Sequence, residues 1–231
     1  MTKKIVVAIT GGSGAPYAVR LVQVLLGAGC DVYLSISASG AIVLKQELGV
    51  EISPEDFSER DFRAAFPTDA QALRVHRSSD QTKSETGSLH YCHHANMMAP
   101  IASGSFLTDG MVVCPCSGST LSAIAHSLNS NLIQRAAEVH LKERRKLILV
   151  PRETPLSLPQ INNMKLATEA GAVILPASPG FYHGATEISH LVDFIVARIC
   201  DQLGIANSLM KRWGSDDPTF PPAGSFSENR N

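Results

Sequence analysis

Neither sign of charge dominates this sequence: 20 lysines and arginines stand against 21 aspartates and glutamates, for a net charge of -1. That balance gives no electrostatic case for nucleic acid or for an anionic membrane surface, so any basic character must be local. Cysteine is sparse and odd in number: Cys30, Cys92, Cys114, Cys116 and Cys200 are scattered, and no CxxC pair occurs. This argues against a zinc ribbon and a thioredoxin-type site, and points to buried thiols in a reducing compartment. Long apolar runs are missing too. The run Ile5-Val6-Val7-Ala8-Ile9 that follows Lys3-Lys4 is too short for a signal-peptide core or a membrane span, so the expected location is the cytoplasm. Charged residues make up only 18% against 44% hydrophobic, which permits a sizeable core and excludes global disorder.

What remains is a rhythm of short β-branched runs at Ile5–Ile9, Val32–Ile36, Met111–Cys114, Leu147–Val150 and Ala172–Leu175. Segments of helical periodicity separate most of them. That alternation predicts βαβ units: an α/β fold with a doubly wound, mostly parallel sheet in one domain spanning residues 1–213. The first helix is expected to open near Gly14-Ala15-Pro16 and stop at Gly27 or Gly29. The second should run from about Ser39 through Leu48 to Gly49. A third strong candidate covers Asn131–Arg145. Residues 53–96 break the rhythm, with a polar stretch Arg77–Thr86 that has no apolar period, and read as a loop or partly ordered excursion. Residues 214–231, rich in Ser, Pro, Asp and Asn, read as a loose tail.

After the first strand comes Thr10-Gly11-Gly12-Ser13-Gly14, opening a helix. Glycines let backbone N–H groups approach an anion, and the helix N-terminus favours negative charge. A dinucleotide fingerprint is excluded, because Tyr17 stands where its third glycine belongs. The second strand ends in Ser35-Ile36-Ser37, with no ribose-binding carboxylate. A second strand end, Cys114-Pro115-Cys116, leads into Ser117-Gly118-Ser119-Thr120, and Ser103-Gly104-Ser105 lies upstream. Each of these turns taken alone is also explained as a plain helix cap; together they suit a flat ring system with a phosphate. Arg135, Glu138 and Lys142 share one helix face, either as a site or as a solvated ion-pair face. Arg152-Glu153 follows the next strand, where an Arg can clamp a phosphate and a Glu can carry a proton. Arg198 sits within an apolar helix and calls for an anionic partner or a route to water.

In order, Gly11–Ala15, Ala102–Ser105, Cys114–Ser117, Arg135–Val139 with Leu141–Arg145, Pro151–Pro155 and Pro179–His183 closely resemble the UbiX-type flavin prenyltransferases, formerly described as phenylacrylic acid or 3-octaprenyl-4-hydroxybenzoate decarboxylases. The resemblance covers about residues 3 to 213 without most of 53 to 90. It implies a Rossmann-like flavoprotein assembled as a homododecamer of trimers, with sites between subunits. It implies transfer of a dimethylallyl group from dimethylallyl monophosphate to N5 and C6 of reduced FMN, the product serving a UbiD-type decarboxylase. By the same resemblance Gly12, Ser13, Gly14, Ser37, Ser103, Gly104, Ser105 and Arg152 hold FMN, assisted by Ser117 and Thr120. Glu47, Arg135, Lys142, Tyr182 and Arg198 surround the prenyl phosphate, and Glu153 handles protons. The catalytic set is therefore Glu153, Glu47 and Lys142.

Metal is not required by this reading. Diphosphate-using prenyltransferases need aspartate clusters, whereas the only adjacent pair here, Asp216-Asp217, lies in the tail. The excursion departs from the family in length and carries Leu89-His90-Tyr91-Cys92-His93-His94, whose spacing matches no standard zinc pattern. Met97 takes a slot that is aromatic in some relatives. Two alternatives are an FMN-dependent cysteine decarboxylase of similar fold and a non-catalytic FMN carrier. The first places a His after the first helix, but no His precedes His76 here. The second has no use for Lys142, Glu153 and Arg198.

Overall fold

The apolar runs become strands because both of their faces are covered. In the computed structural model, which describes residues 2–67, 87–210 and 212, Ile5, Val7 and Ile9 of strand β1 (Lys4–Ile9) pack to one side. Val6 and Ala8 pack to the other. A strand buried on both sides reads as continuous hydrophobicity, the mark of a parallel sheet between helical layers. β2 (Asp31–Ile36), β3 (Leu89–Tyr91), β4 (Gly110–Cys116), β5 (Leu147–Pro151) and β6 (Val173–Ile174) complete it. Their spatial order is β3-β2-β1-β4-β5-β6, and every neighbouring pair is parallel.

Helices α1 (Ala15–Gly27), α2 (Ala38–Leu48) and α7 (Ile188–Leu203) cover one face. Helices α4 (Gly118–Ala125), α5 (Leu132–Lys142) and α6 (Leu158–Glu169) cover the other. Strand order reverses direction between β1 and β4, so the carboxyl ends of these two strands form the crevice where such sheets bind ligands. The chain returns over α1 through α7. There buried Arg20 grips Asp193 with Nε to Oδ1 at 2.7 Å and Nη2 to Oδ2 at 3.2 Å. Pairing a buried guanidinium in this way fixes geometry more than it adds stability.

Helix boundaries follow local chemistry. α1 ends at Gly27, and Gly49 caps α2 in the left-handed conformation at φ 68°, both as expected. α5 is shorter than the Asn131–Arg145 reading. It starts after Asn131, whose side chain accepts from the Gln134 N–H, and stops at Lys142, with Arg144 at positive φ.

The excursion holds more structure than its polarity suggested. Helix α3 (Glu59–Ala64) is capped by Ser58 and anchored by Phe62, which is fully buried. β3 pairs in parallel with β2 through three residues. Both elements are too short to show a period. The stretch Arg77–Thr86 and the tail 214–231 lie outside the described residues. Among the described residues, no helix is long and apolar enough to cross a membrane.

Candidate functional site

The carboxyl ends of β1, β4 and β5 gather the first group of site residues. Thr10 Oγ1 donates to Pro115 O at 2.7 Å and accepts from Ser117 N–H at 2.9 Å, tying the two strand ends together. Gly12 lies against the end of β4 there: a Cβ would make ordinary contact with Pro115 Cβ at 3.4 Å and Cys116 O at 3.5 Å. Gly14 has φ 130°, a conformation that side chains rarely adopt, and a Cβ on it would lie 3.0 Å from the Tyr17 ring. The N–H groups of Gly14 and Ala15 at the start of α1 point toward the end of α2.

Those donors already hold an anion. The Glu47 carboxylate, reaching from the last turn of α2, accepts from Gly14 N–H at 3.0 Å and Ala15 N–H at 2.8 Å. Beside them, Arg152 Nε donates to Ser13 O at 3.2 Å. Glu153 Oε1 accepts from Thr154 N–H at 3.2 Å and Oε2 from Gln160 Nε2 at 3.3 Å. Ser37 and Ser117 cap α2 and α4, accepting from Gly40 N–H and Thr120 N–H, while the Ser117 hydroxyl also meets Thr120 Oγ1 at 3.0 Å. A capping serine spends a lone pair, which leaves the Ser37 proton to donate to a ligand. Burial pushes the Cys116 thiol up to about 12 and raises that of Cys114 as well, so neither supplies a thiolate.

A second group forms where β4 and β5 begin. Segment 102–108 crosses α5 and brings Gly104 against Lys142, whose Nζ lies 2.9 Å from where a Cβ would sit. Lys142 is paired with Glu143, and Arg135 with Glu138 at 2.6 Å. The Lys142 partner holds the Glu143 carboxyl below the usual range. Ser103 Oγ and Ser105 Oγ lie 2.8 Å apart at the surface. The seven residues of β4 run between the Gly104 segment and Ser117. At about 3.3 Å per residue that is on the order of 20 Å. One chain therefore does not bring Ser103–Ser105 and Lys142 to Gly12–Gly14, Arg152 and Glu153.

The third group lies on the α7 side. Tyr182 packs edge-on against Phe194 at 5.7 Å, and Arg198 sits one turn further along the same helix. Arg198 is half exposed and pairs with Asp201 at 3.3 Å, so it has both an anionic partner and access to water. Reading the sequence alone missed Thr10 and Gln160, as well as Arg145, whose contacts to segment 102–108 no local pattern announces. The histidine-rich stretch gathers no metal set. Among the described residues no group of three His, Cys, Asp or Glu side chains is placed to hold a metal ion, and His93 faces Glu55 at 3.7 Å.

Comparison with known proteins decides what this constellation belongs to. The Flavoprotein family model matches residues 1–200. The flavin prenyltransferase UbiX of Pseudomonas aeruginosa is 42% identical over 212 residues, covering 92% of this chain and 94% of that protein. The chain belongs to the UbiX-type flavin prenyltransferases. The UbiX of Thermoplasma acidophilum is likewise 42% identical over 210 residues, covering 91% of this chain and 99% of that one. Among solved UbiX structures, AnUbiX (PadA1) in complex with FMN and dimethylallyl pyrophosphate superposes with a TM-score of 0.75 at 34% identity. That match covers 94% of this chain and 100% of the other. A dodecameric FMN-dependent UbiX-like decarboxylase from Escherichia coli O157:H7 matches with a TM-score of 0.72 at 34% identity, covering 92% and 99%. The cysteine decarboxylase TvaF, at 13% identity and a TM-score of 0.51, shares the fold alone. The UbiX family thus accounts for the single-domain, six-stranded parallel architecture, and the cysteine decarboxylase alternative is not favoured.

Proposed function

We propose that this chain transfers a dimethylallyl group from dimethylallyl monophosphate to N5 and C6 of reduced FMN, yielding prenylated FMN for a UbiD-type decarboxylase. The observation that carries the reading is the anion-holding start of α1 with Arg152 and Glu153 beside it, in a chain whose relatives are flavin prenyltransferases. Reduced FMN supplies the two nucleophilic atoms when bound. Gly12, Ser13, Gly14, Ser37 and Arg152 hold the flavin from one chain, with Ser117 and Thr120 assisting. Ser103, Gly104 and Ser105 complete the hold from a second copy. Arg135, Lys142, Tyr182 and Arg198 take the prenyl phosphate, and Glu47 borders that site at the start of α1.

Separation of an allylic cation from its phosphate places charge on the leaving oxygens, where fixed cations lower the barrier. Lys142, Arg135 and Arg198 each have a carboxylate partner in the single chain: Glu143, Glu138 and Asp201. An arriving phosphate, carrying more charge than a carboxylate, competes for those cations. Glu153, whose Oε2 accepts from Gln160, handles protons during phosphate departure and ring closure.

The separation of about 20 Å between the two halves of the site supports assembly. The single chain exposes Met98 by 91%, Ile188 by 79% and Phe181 by 73%, large apolar side chains that suit burial against further copies. A homododecamer, as named for the E. coli relative, is the proposed form. All five cysteines are free and buried, consistent with a cytoplasmic setting.

Mass spectrometry of the flavin after anaerobic incubation with reduced FMN and dimethylallyl monophosphate tests the activity. A gain of one prenyl unit is expected. Unmodified FMN with both the monophosphate and the diphosphate would sink the reading.

A further inference from the structure

Segment 102–108 has no place in the sheet, and its shape depends on side chains from α5 and the turn after it. Arg135 Nε donates to Ala102 O at 3.1 Å. Arg145 takes two carbonyls at once, Nη1 on Phe106 O at 2.8 Å and Nη2 on Gly104 O. His140, almost fully buried, donates from Nδ1 to Ala136 O at 2.7 Å, which leaves Nε2 to accept from Thr108 Oγ1 at 2.9 Å. The segment is thus pinned at 102, 104, 106 and 108.

The alternation matters. In a trans peptide the C=O and the following N–H point opposite ways. Turning the carbonyls of Gly104 and Phe106 inward therefore turns the N–H groups of Ser105 and Leu107 outward. The Ser105 N–H faces the Ser103 hydroxyl and donates to it at 3.4 Å, and both serine hydroxyls, which carry the donor face outward, are exposed. Only a planar fork with donors on separate nitrogens reaches two carbonyls two residues apart; an ammonium on a flexible stem is a single point. The fork also holds Gly104 against the ends of the Lys142 and Glu143 side chains.

We infer that Arg145 is a positioning residue for flavin binding: its guanidinium, on the carbonyls of Gly104 and Phe106, orients the outward donor face of Ser103-Gly104-Ser105. This rests on the proposed assignment of that loop to FMN. Arg145 itself touches no reacting atom.

Flavin fluorescence titrations of the full chain with wild type, Arg145→Ala and Arg145→Lys test it. The expected result is at least a tenfold weaker FMN dissociation constant for Arg145→Ala and an intermediate value for Arg145→Lys. Low-millimolar guanidinium should partly restore binding to Arg145→Ala and leave wild type unchanged, a response that a general loss of packing does not give. If Arg145→Ala fails to fold, Arg145→Lys decides, since it keeps charge and bulk but loses the fork. Variants that bind FMN within twofold of wild type overturn the inference alone. A wild type that binds no FMN overturns the functional reading and the inference with it.

Discussion

Glu47 of α2 caps α1, its carboxylate lying 3.0 Å from the Gly14 N–H and 2.8 Å from the Ala15 N–H. A side chain from one helix thus occupies the backbone donors proposed for the flavin phosphate. Removing it exposes the start of α1 to whatever anion is present.

Glu47→Ala is expected to destabilise the protein by about 1 kcal/mol, the usual cost of losing an N-terminal cap. Inorganic phosphate should then raise the melting temperature of the variant more than that of wild type, because it finds the two N–H groups open. Thermal denaturation with and without phosphate measures both effects. Equal phosphate shifts for the two proteins would show that these donors do not receive a phosphate.

Gly14→Val forces a β-branched side chain into φ 130° and against Tyr17. Backbone strain of this kind costs on the order of 1–3 kcal/mol, and relief rotates the N–H away from the crevice. FMN binding should be largely lost while circular dichroism stays native. Undiminished flavin affinity would remove this turn from the site.

Composite sites predict complementation. Glu153→Gln keeps its size but cannot carry a proton, and should slow prenylation by about 10²–10⁴-fold. Lys142→Ala should fail as well, through loss of the phosphate contact. Because Glu153 and Lys142 stand at opposite edges of the sheet, mixed oligomers of the two variants contain some sites with both native residues. Co-expression should therefore recover a measurable fraction of wild-type turnover. No recovery in verified mixed oligomers would place both residues in one chain's site.

Burial lowers the affinity of His140 for a proton, reinforced by the nearby Arg145 cation and only partly offset by the bond to Ala136 O. The unfolded chain takes up that proton near its ordinary value of 6.5, while the folded chain resists it. Stability should thus fall as pH drops below about 6.5, until the folded-state value is reached. Replacing His140 by Ala removes this contribution. The difference in melting temperature between wild type and His140→Ala should narrow between neutral pH and pH 5; a constant gap would contradict it.

Local chemistry made much of this protein legible from its residues. Continuous apolar runs announced the parallel strands because strands buried on both faces have no polar positions. Gly49 marked the end of α2 because a left-handed cap favours glycine, and the order of glycine and hydroxyl turns carried the family. α3 and β3 stayed hidden: six and three residues give no period, and Leu89–Tyr91 is a strand only because β2 offers it a partner. The tertiary structure alone decided how the site residues divide. The family resemblance put Ser103–Ser105 and Gly12–Gly14 in one list of flavin contacts, but the direction of β4 sends them to opposite edges of the sheet. The contacts of Glu47 and Arg145 were decided in the same way, since a carboxylate 33 residues from Gly14 and a guanidinium 41 residues from Gly104 meet their backbone partners only once the layers have packed.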